Sequence, residues 1–529
     1  MGTFDHKVTI VVCAPAENAY PVEDFRQTVA SALAIDYAKK EVIVVDWQPN
    51  CPAVDLGDLS KKVKRVAGDF ATRSARLNAG WQAGKGEFVL LVPAETAPFT
   101  FRQGSLGTYV YAATRGKKAA GLIYSDYDRI GEDGSVKEVH LLEWHPGRLR
   151  DLSDFGPVFF CSRKALKGVG GLDESLKAGE MYDLRLKISE KFPVMHISNR
   201  MRGSLYSIKQ RGAGHDVFAY LLAAKEVQLE MERICTEHLK RIGACLAPGA
   251  HYLKVEYTPE EEARFKDCIA TVIVPVFGRP EFMAPAIESI WSQTVKNIEA
   301  IIVVNGGESD PTVKEVKRYQ PGGDKYQADK PPIRLIVTDV NNIGLCLNMG
   351  CEQARGKYYV QLDSDDQLTS DCVEKILKVY EEDARIGMVV GSYAVWQKQA
   401  DGSLVRREDI PVVTHDEWTE ENGRNNLLRI NGAGAPRSFH IKVLKEVGWF
   451  GVNDTPYSRN YGEDYDLVQR IIERYRMGRV WDPIYKVVRH TGGTDHSIDQ
   501  VTIDRNDEAK DHMRLEALQR RIAMNKKAR

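Results

Sequence analysis

The chain has 529 residues, 43% of them apolar and 28% charged, with a formal net charge of -1. That length exceeds one ordinary hydrophobic core, so two or three domains are expected, and the balance is that of a globular rather than a disordered protein. The charge argues against a generic nucleic-acid binder held by backbone phosphates, and nine cysteines without a CxxC pair argue against a zinc site or a disulfide framework. No stretch reaches the ~20 apolar residues that span a bilayer, and no signal peptide opens the chain, so a soluble cytoplasmic enzyme is expected, with attachment to the inner face of the membrane left open.

In chain order, Val8-Thr-Ile-Val-Val-Cys-Ala-Pro15 predicts a strand ending at the proline, 25–33 a helix and Glu41-Val-Ile-Val-Val-Asp46 a second strand, a βαβ unit with parallel strands. The unit recurs as Thr271-Val-Ile-Val-Pro-Val276, a helix over 283–291, and Ala300-Ile-Ile-Val-Val-Asn305. Asn78-Ala-Gly80 stands before Gly86-Glu-Phe-Val-Leu-Leu-Val92 as Asn348-Met-Gly350 stands before Gly356-Lys-Tyr-Tyr-Val-Gln-Leu362. Val169-Gly-Gly-Leu-Asp-Glu174 leads to Gly179-Glu-Met-Tyr-Asp-Leu184, as Val447-Gly-Trp-Phe-Gly451 leads to Gly462-Glu-Asp-Tyr-Asp-Leu467. Matched landmarks in one order argue for a duplicated domain.

The expected organisation is a degenerate copy over 1–210, a helical connector over 211–266 with a polar stretch at Pro259-Glu-Glu-Glu262, a catalytic copy over 267–500, and a basic helix over 501–529. That last helix carries Leu515, Leu518 and Ile522 on one side, and Arg514, Arg520, Arg521, Lys526, Lys527 and Arg529 decorate the rest. A solvated cap is the first reading and contact with an anionic membrane surface the second.

Ligands of an open parallel sheet bind beyond the carboxyl ends of its strands, where Asp363-Ser-Asp-Asp366 follows 356–362. Three carboxylates within four residues repel one another and need water or a cation. A hard divalent ion shared with substrate phosphates is one reading, and a solvated turn capping the next helix at Thr369 or Ser370 is the other. Glu463 and Asp464 open an amphipathic helix, whose N-terminus acidic residues stabilise, and they also suit a general base. His490, directly after 487–489, can complete a divalent shell or serve as an ordinary loop histidine, and it fits better than His496. Arg459 and Arg489 are candidate phosphate or acceptor contacts. Trp418, Asn425, Asn426 and Asn431 suit sugar binding and ordinary loop structure alike.

Taken together, the strand 271–276, Gln293, Val303-Val304-Asn305, Asn342-Ile-Gly344, Asn348-Met-Gly350, Gly356 through Asp366 and Gly462-Glu-Asp464 resemble the family-2 nucleotide-sugar glycosyltransferases. The resemblance implies two tandem α/β transferase-like domains with mainly parallel central sheets, joined by a helical connector. It implies an inverting transfer from a nucleoside-diphosphate sugar, with UDP the expected nucleotide, to a glycan or glycoconjugate hydroxyl. Pro275 and Asn305 would border the base and ribose, with Asn342 and Asp363 also on the donor side. Asp365 and His490 would hold Mn²⁺ or Mg²⁺ against the diphosphate, and Asp464, beside Glu463, would be the base. Two departures are Asn305-Gly-Gly307, where family members end that strand in acidic-Gly-Ser, and Leu347, where a basic residue usually precedes the asparagine.

In the first copy Pro93, Glu95 and Thr96 stand at the positions of Asp363, Asp365 and Asp366, and Met181 at that of Asp464. That copy is therefore expected to bind acceptor, partner or catalytic domain without catalysing; a site rebuilt from Glu95, Asp126, Asp128 and Glu180 is the alternative. Two rival classes are a metal-dependent nucleotidyltransferase, whose Gly-rich basic loop Val276-Phe-Gly-Arg-Pro280 supplies only in part, and a non-enzymatic glycan-binding scaffold.

Overall fold

A computed structural model describes residues 5–16, 19–46, 53–199, 203–209, 225–432, 434–452, 461–490 and 499–528. The chain divides into two compact α/β units, Met1–Ile242 and Gly243–Arg529.

The first unit holds strands β1 (Val8–Cys13), β2 (Lys40–Val45), β3 (Lys64–Val66), β4 (Phe88–Val92), β5 (Phe99–Phe101), β6 (Leu122–Ser125), β7 (Tyr127–Ile130), β8 (Val136–Val139), β9 (Phe159–Ser162), β10 (Val194–Ile197) and β11 (Tyr206–Lys209). Its main sheet runs β3-β2-β1-β4-β9-β6-β10, and β5, β11, β7 and β8 form a second, smaller sheet. Strand β9 alone runs antiparallel to its neighbours β4 and β6. Every residue of β1 and β4 is buried, as a β-branched or apolar run covered on both faces should be.

The second unit repeats that order with β12 (Ala270–Val276), β13 (Ile298–Val304), β14 (Ile333–Val337), β15 (Tyr358–Gln361), β16 (Gln367–Leu368), β17 (Ile386–Lys398), β18 (Leu404–Arg406), β19 (Arg437–His440) and β20 (Arg476–Arg489). Its sheet runs β14-β13-β12-β15-β19-β17-β20-β16, so strand for strand it matches the first until β16 is added at the edge. Here β19 is the strand antiparallel to both neighbours.

Specific polar contacts repeat as well. Thr9 Oγ1 donates to Glu41 Oε1 (2.7 Å) and accepts from Gly86 N (2.9 Å); Thr271 Oγ1 does the same with Glu299 Oε1 (3.0 Å) and Gly356 N (3.0 Å). A Cβ on Gly86 would lie 2.4 Å from Thr9 N, and one on Gly356 2.6 Å from Thr271 N, so neither position accepts a side chain without moving backbone. The Asn78 amide clasps the backbone N–H and C=O of Leu172 (3.0 and 2.9 Å), and Asn348 clasps those of Phe450 (3.0 and 2.9 Å). The Asn-x-Gly landmark is thus a bolt between helix and distant loop in each copy.

The expected connector carries two helices where it is described, its residues 211–224 lying outside the described residues. Helix Lys225–Ile242 lies in the first unit, where Glu230 accepts from the backbone N–H groups of Lys177, Ala178 and Gly179 (2.9, 2.9 and 2.8 Å). The polar stretch after it is a short helix, Pro259–Arg264, begun by a capping box between Thr258 and Glu261 with Pro at the first turn.

The C-terminal helix Gln500–Lys527 departs from its expected faces at two arginines, while Lys526 and Lys527 are exposed as expected. Arg514 and Arg521 are 0% exposed, because acceptors wait for them in the second unit: Asp511 and the carbonyls of Leu428 and Ile430 for Arg514, Gln469 and Glu473 for Arg521. Leu518 is buried on the same helix, whereas Leu515 and Ile522 are only partly covered. No helix among the described residues is long and apolar enough to cross a membrane.

Arg514→Met would remove the guanidinium that pairs with the Asp511 carboxylate, which is 0% exposed. Urea unfolding is expected to show a loss of about 3–5 kcal/mol for the second unit, against less than about 0.5 kcal/mol for Lys527→Met on the exposed end of the same helix.

Candidate active site

The carboxyl ends of β12, β13 and β15 lie together at one edge of the second sheet, and the loops that leave them carry polar side chains. Asn305 N donates to Val276 O (3.0 Å), placing the end of β13 beside that of β12, where Pro275 is half-buried opposite Val303. Asn305 is 5% exposed; its Nδ2 donates to Asn341 Oδ1 (3.1 Å), and its Oδ1 has no hydrogen-bond partner among the described residues. Asn342 is occupied otherwise. Its Oδ1 caps helix Ile343–Gln353 at Leu345 N (2.9 Å) and its Nδ2 donates to Val452 O (2.9 Å).

At the end of β15 each aspartate has its own environment. Asp363 accepts from Gln361 Nε2 (3.0 Å), and its backbone N–H donates to Tyr485 Oη (2.9 Å). Burial raises its carboxyl above the ordinary range, and the charges of Asp365 and Asp464 add to this. Asp366 is 7% exposed and accepts from Val488 N (2.8 Å); burial and the Asp363 charge push it up further. Asp365, more open, presents Oδ2 to both Arg279 Nη1 (2.9 Å) and His490 Nε2 (3.2 Å). The expected cap at Thr369 or Ser370 is corrected: the turn runs into β16, and the next helix begins at Cys372 with Asp371 as its N-terminal flank.

Helix Glu463–Ile472 starts beyond Gly462, which takes the left-handed conformation (φ 86°) that glycine adopts freely. Glu463 is 6% exposed. The Asp464 side chain retains 31% exposure and accepts from Arg437 Nη1 (2.6 Å). Burial works to raise its carboxyl, but Arg437 and Lys510 outweigh it and hold Asp464 below the usual carboxylate range. Arg437 Nε in turn donates to Gln361 Oε1 (2.9 Å). The two acidic clusters, remote in sequence, are therefore joined by one hydrogen-bonded chain, Asp363 to Gln361 to Arg437 to Asp464.

The Asp365 and His490 atoms fit a hard divalent ion. Their 3.2 Å separation is close to the edge of an octahedral shell, where ligands at 2.0–2.1 Å stand about 3 Å apart. Among the described residues no third His, Cys, Asp or Glu ligand atom lies within 4.8 Å of both, which leaves the remaining positions to water and substrate oxygens, as Mg²⁺-type sites commonly do. Phe282 packs against the His490 ring (centroids 4.7 Å apart) and fixes its face.

Other sequence candidates fall elsewhere. Arg459 and His496 lie outside the described residues. Trp418, Asn425 and Asn426 are 3%, 2% and 1% exposed, with Asn425 bonded to both backbone groups of Leu246 and Asn426 donating to Glu417 O, so they build the fold. A cavity of about 420 Å³ is lined by Glu288, Ser289, Thr369, Ser370 and Lys486 among others, and none of the candidate carboxylates lines it. Arg279, Arg437 and Gln361 were missing from the sequence candidates.

The corresponding edge of the first unit is filled by arginine. Glu95 (3% exposed) pairs with Arg76 Nη1 (3.2 Å) and Arg73 Nε (3.5 Å), and Arg73 Nη1 also reaches Glu180 Oε1 (2.8 Å). Burial raises both carboxyls against the pull of the arginines. Asp126 belongs to a different network: burial would raise it, but His196 (2.6 Å), His140 (3.0 Å) and the N–H groups of Leu141 and Asn199 lower it to about 2. Asp128 accepts from Ser204 Oγ (2.6 Å) and Arg102 (3.2 Å).

The sequence profile described as glycosyl transferase family 2 matches residues 271–447. An uncharacterized glycosyltransferase of Rickettsia felis is 25% identical over 90% of this chain and 78% of its own length, and one of Rickettsia conorii is 25% identical over 68% and 61%. The chain thus spans less than two thirds of the second relative. The structure of S. aureus TarS 1-349 in complex with UDP-GlcNAc aligns with 48% of this chain and 73% of that one, at 17% identity and a TM-score of 0.33. The carboxylates at the end of β15 lie inside the matched segment, and residues 271–447 are a family-2-like glycosyltransferase domain.

Proposed function

We propose that the second unit is the catalytic part of an inverting glycosyltransferase that moves a sugar from a nucleoside-diphosphate donor, UDP being the first nucleotide to test, to a hydroxyl of a glycan or glycoconjugate. One observation carries this reading: the carboxylate and imidazole edge of Asp365 and His490 stands at the same sheet edge as an ionised, partly open Asp464, and Gln361 and Arg437 connect Asp464 to the same aspartate turn.

Mn²⁺ or Mg²⁺ held by Asp365 and His490 would neutralise charge growing on the departing diphosphate. Asp363, Pro275 and Asn305 are assigned to the nucleotide. Asp464 receives the proton of the acceptor hydroxyl as that oxygen bonds to the anomeric carbon and the bond to the diphosphate breaks. A single displacement from the opposite face inverts the centre. Glu463 is buried and supports the helix start, so the proton transfer is assigned to Asp464. In the first unit the arginines already neutralise Glu95 and Glu180, which favours a binding rather than a catalytic role there.

Screening nucleotide sugars for Mn²⁺-dependent donor hydrolysis, then acceptors, tests the activity itself; folded protein that turns over no donor with metal present contradicts it. Asp464→Asn is expected to lower kcat by ~100 to 10,000-fold while donor binding stays near wild type, and near-normal turnover would remove Asp464 from the base position. Because Arg437 holds the Asp464 carboxyl down, Arg437→Met should raise it, so the rising limb of the kcat against pH profile moves to higher pH. An unmoved limb speaks against Asp464 as the titrating base. Asp365→Asn should abolish metal-stimulated transfer while Glu95→Gln leaves it intact; loss of one of two separable activities in the Glu95 variant would mark the first unit as an enzyme.

A further inference from the structure

Asp365 Oδ2 accepts from two cationic or cation-capable groups at once, and only one of them, His490, is a metal-ligand type. The other, Arg279, sits on a loop that does not drift: Gly278 N donates to Asp310 Oδ2 (2.8 Å) and Arg279 N to Thr312 Oγ1 (3.0 Å), both at the start of helix Pro311–Lys317. Its side chain is held more loosely, by Asp365 and by the Phe282 ring 6.0 Å below the guanidinium. It is 28% exposed, and among the described residues its guanidinium hydrogen-bonds to Asp365 alone. In the first unit Arg76 meets Glu95 quite differently, 2% exposed and tied to the carbonyls of Ala14, Val45 and Asp46. One arginine is built in; the other is releasable.

A divalent ion on Asp365 Oδ2 and His490 Nε2 would face the Arg279 charge within a few ångströms, and like charges at that range repel. A diphosphate arriving with the ion offers oxygens that match the planar guanidinium fork. We propose that Arg279 is a stand-in cation: it holds Asp365 in the donor-free protein, and it transfers to the donor diphosphate when the divalent ion takes the carboxylate. The inference rests on the metal-dependent reading above and adds a coupling to it. The ion alone binds poorly because it must displace Arg279, and ion and donor together bind well because Arg279 then has an anion to hold.

The test is Mn²⁺ binding to the full chain by electron paramagnetic resonance, without nucleotide and with UDP or GDP, for wild type, Arg279→Met and Arg279→Gln. Without nucleotide both variants are expected to bind Mn²⁺ about five- to tenfold more tightly than wild type, while nucleotide binding without metal weakens by a similar factor. Asp365→Asn should abolish protein-bound Mn²⁺ in every arm, leaving the free-ion resonance at full amplitude. Nucleotide-free Mn²⁺ affinity that is unchanged or weaker in both variants overturns the stand-in role, even if wild type binds Mn²⁺ with nucleotide. Failure of wild type to bind Mn²⁺ with either nucleotide overturns the metal-dependent reading itself and this inference with it. Unchanged thermal midpoints in the two variants establish that the comparison is between folded proteins.

Discussion

A carboxylate at the end of a buried strand needs a positive charge or a set of hydrogen-bond donors against it, and the working edges of both units are organised by that need. In the first unit the need is met permanently. Arg76 is held by three backbone carbonyls as well as by Glu95, and Arg73 spans Glu95 and Glu180. In the second unit most acids are likewise satisfied from within the fold, Asp363 by Gln361, Asp366 by the Val488 N–H and Asp464 by Arg437. Asp365 differs in kind, since its partners are a partly exposed arginine and an imidazole. Of these acids, Asp365 is the one whose compensation comes from side chains that solvent also reaches.

Much of this architecture was legible before any coordinate. Runs such as Val8 to Cys13 and Ala300 to Val304 are β-branched or apolar throughout, and a strand covered on both faces uses such a run in an α/β context. The duplicated landmarks carried the two-unit arrangement, and the seven strands that the two main sheets share in one order agree with it. The Asn-x-Gly spacing was visible as a repeat, but its purpose was not, because the amide closes on Leu172 or Phe450 some 94 or 102 residues away.

What could not be read shares a cause. Arg437 and Asp464 are 27 residues apart, and Arg279 and Asp365 are 86 apart, so no local pattern announces either pair. The C-terminal helix misled for a related reason: hydropathy assigns arginine to water, whereas Arg514 and Arg521 are buried by acceptors on other elements that no helical periodicity displays. The capping box at Thr258 and Glu261, by contrast, was present in the local sequence and reads correctly once Pro259 is taken as a first-turn residue rather than as a breaker.

The Thr-Glu-Gly contact that opens each sheet, Thr9 with Glu41 and Gly86, Thr271 with Glu299 and Gly356, lies at the amino edge of its central strands, the opposite rim from the aspartates. Anchorage and reactivity are thereby assigned to different ends of the same strands. A copy can exchange Asp363 for a proline, or Asp464 for a methionine, without touching the fastening that keeps its strands in register. The first unit carries Pro93 and Met181 where the second carries Asp363 and Asp464, and both units keep the same fastening at the opposite rim.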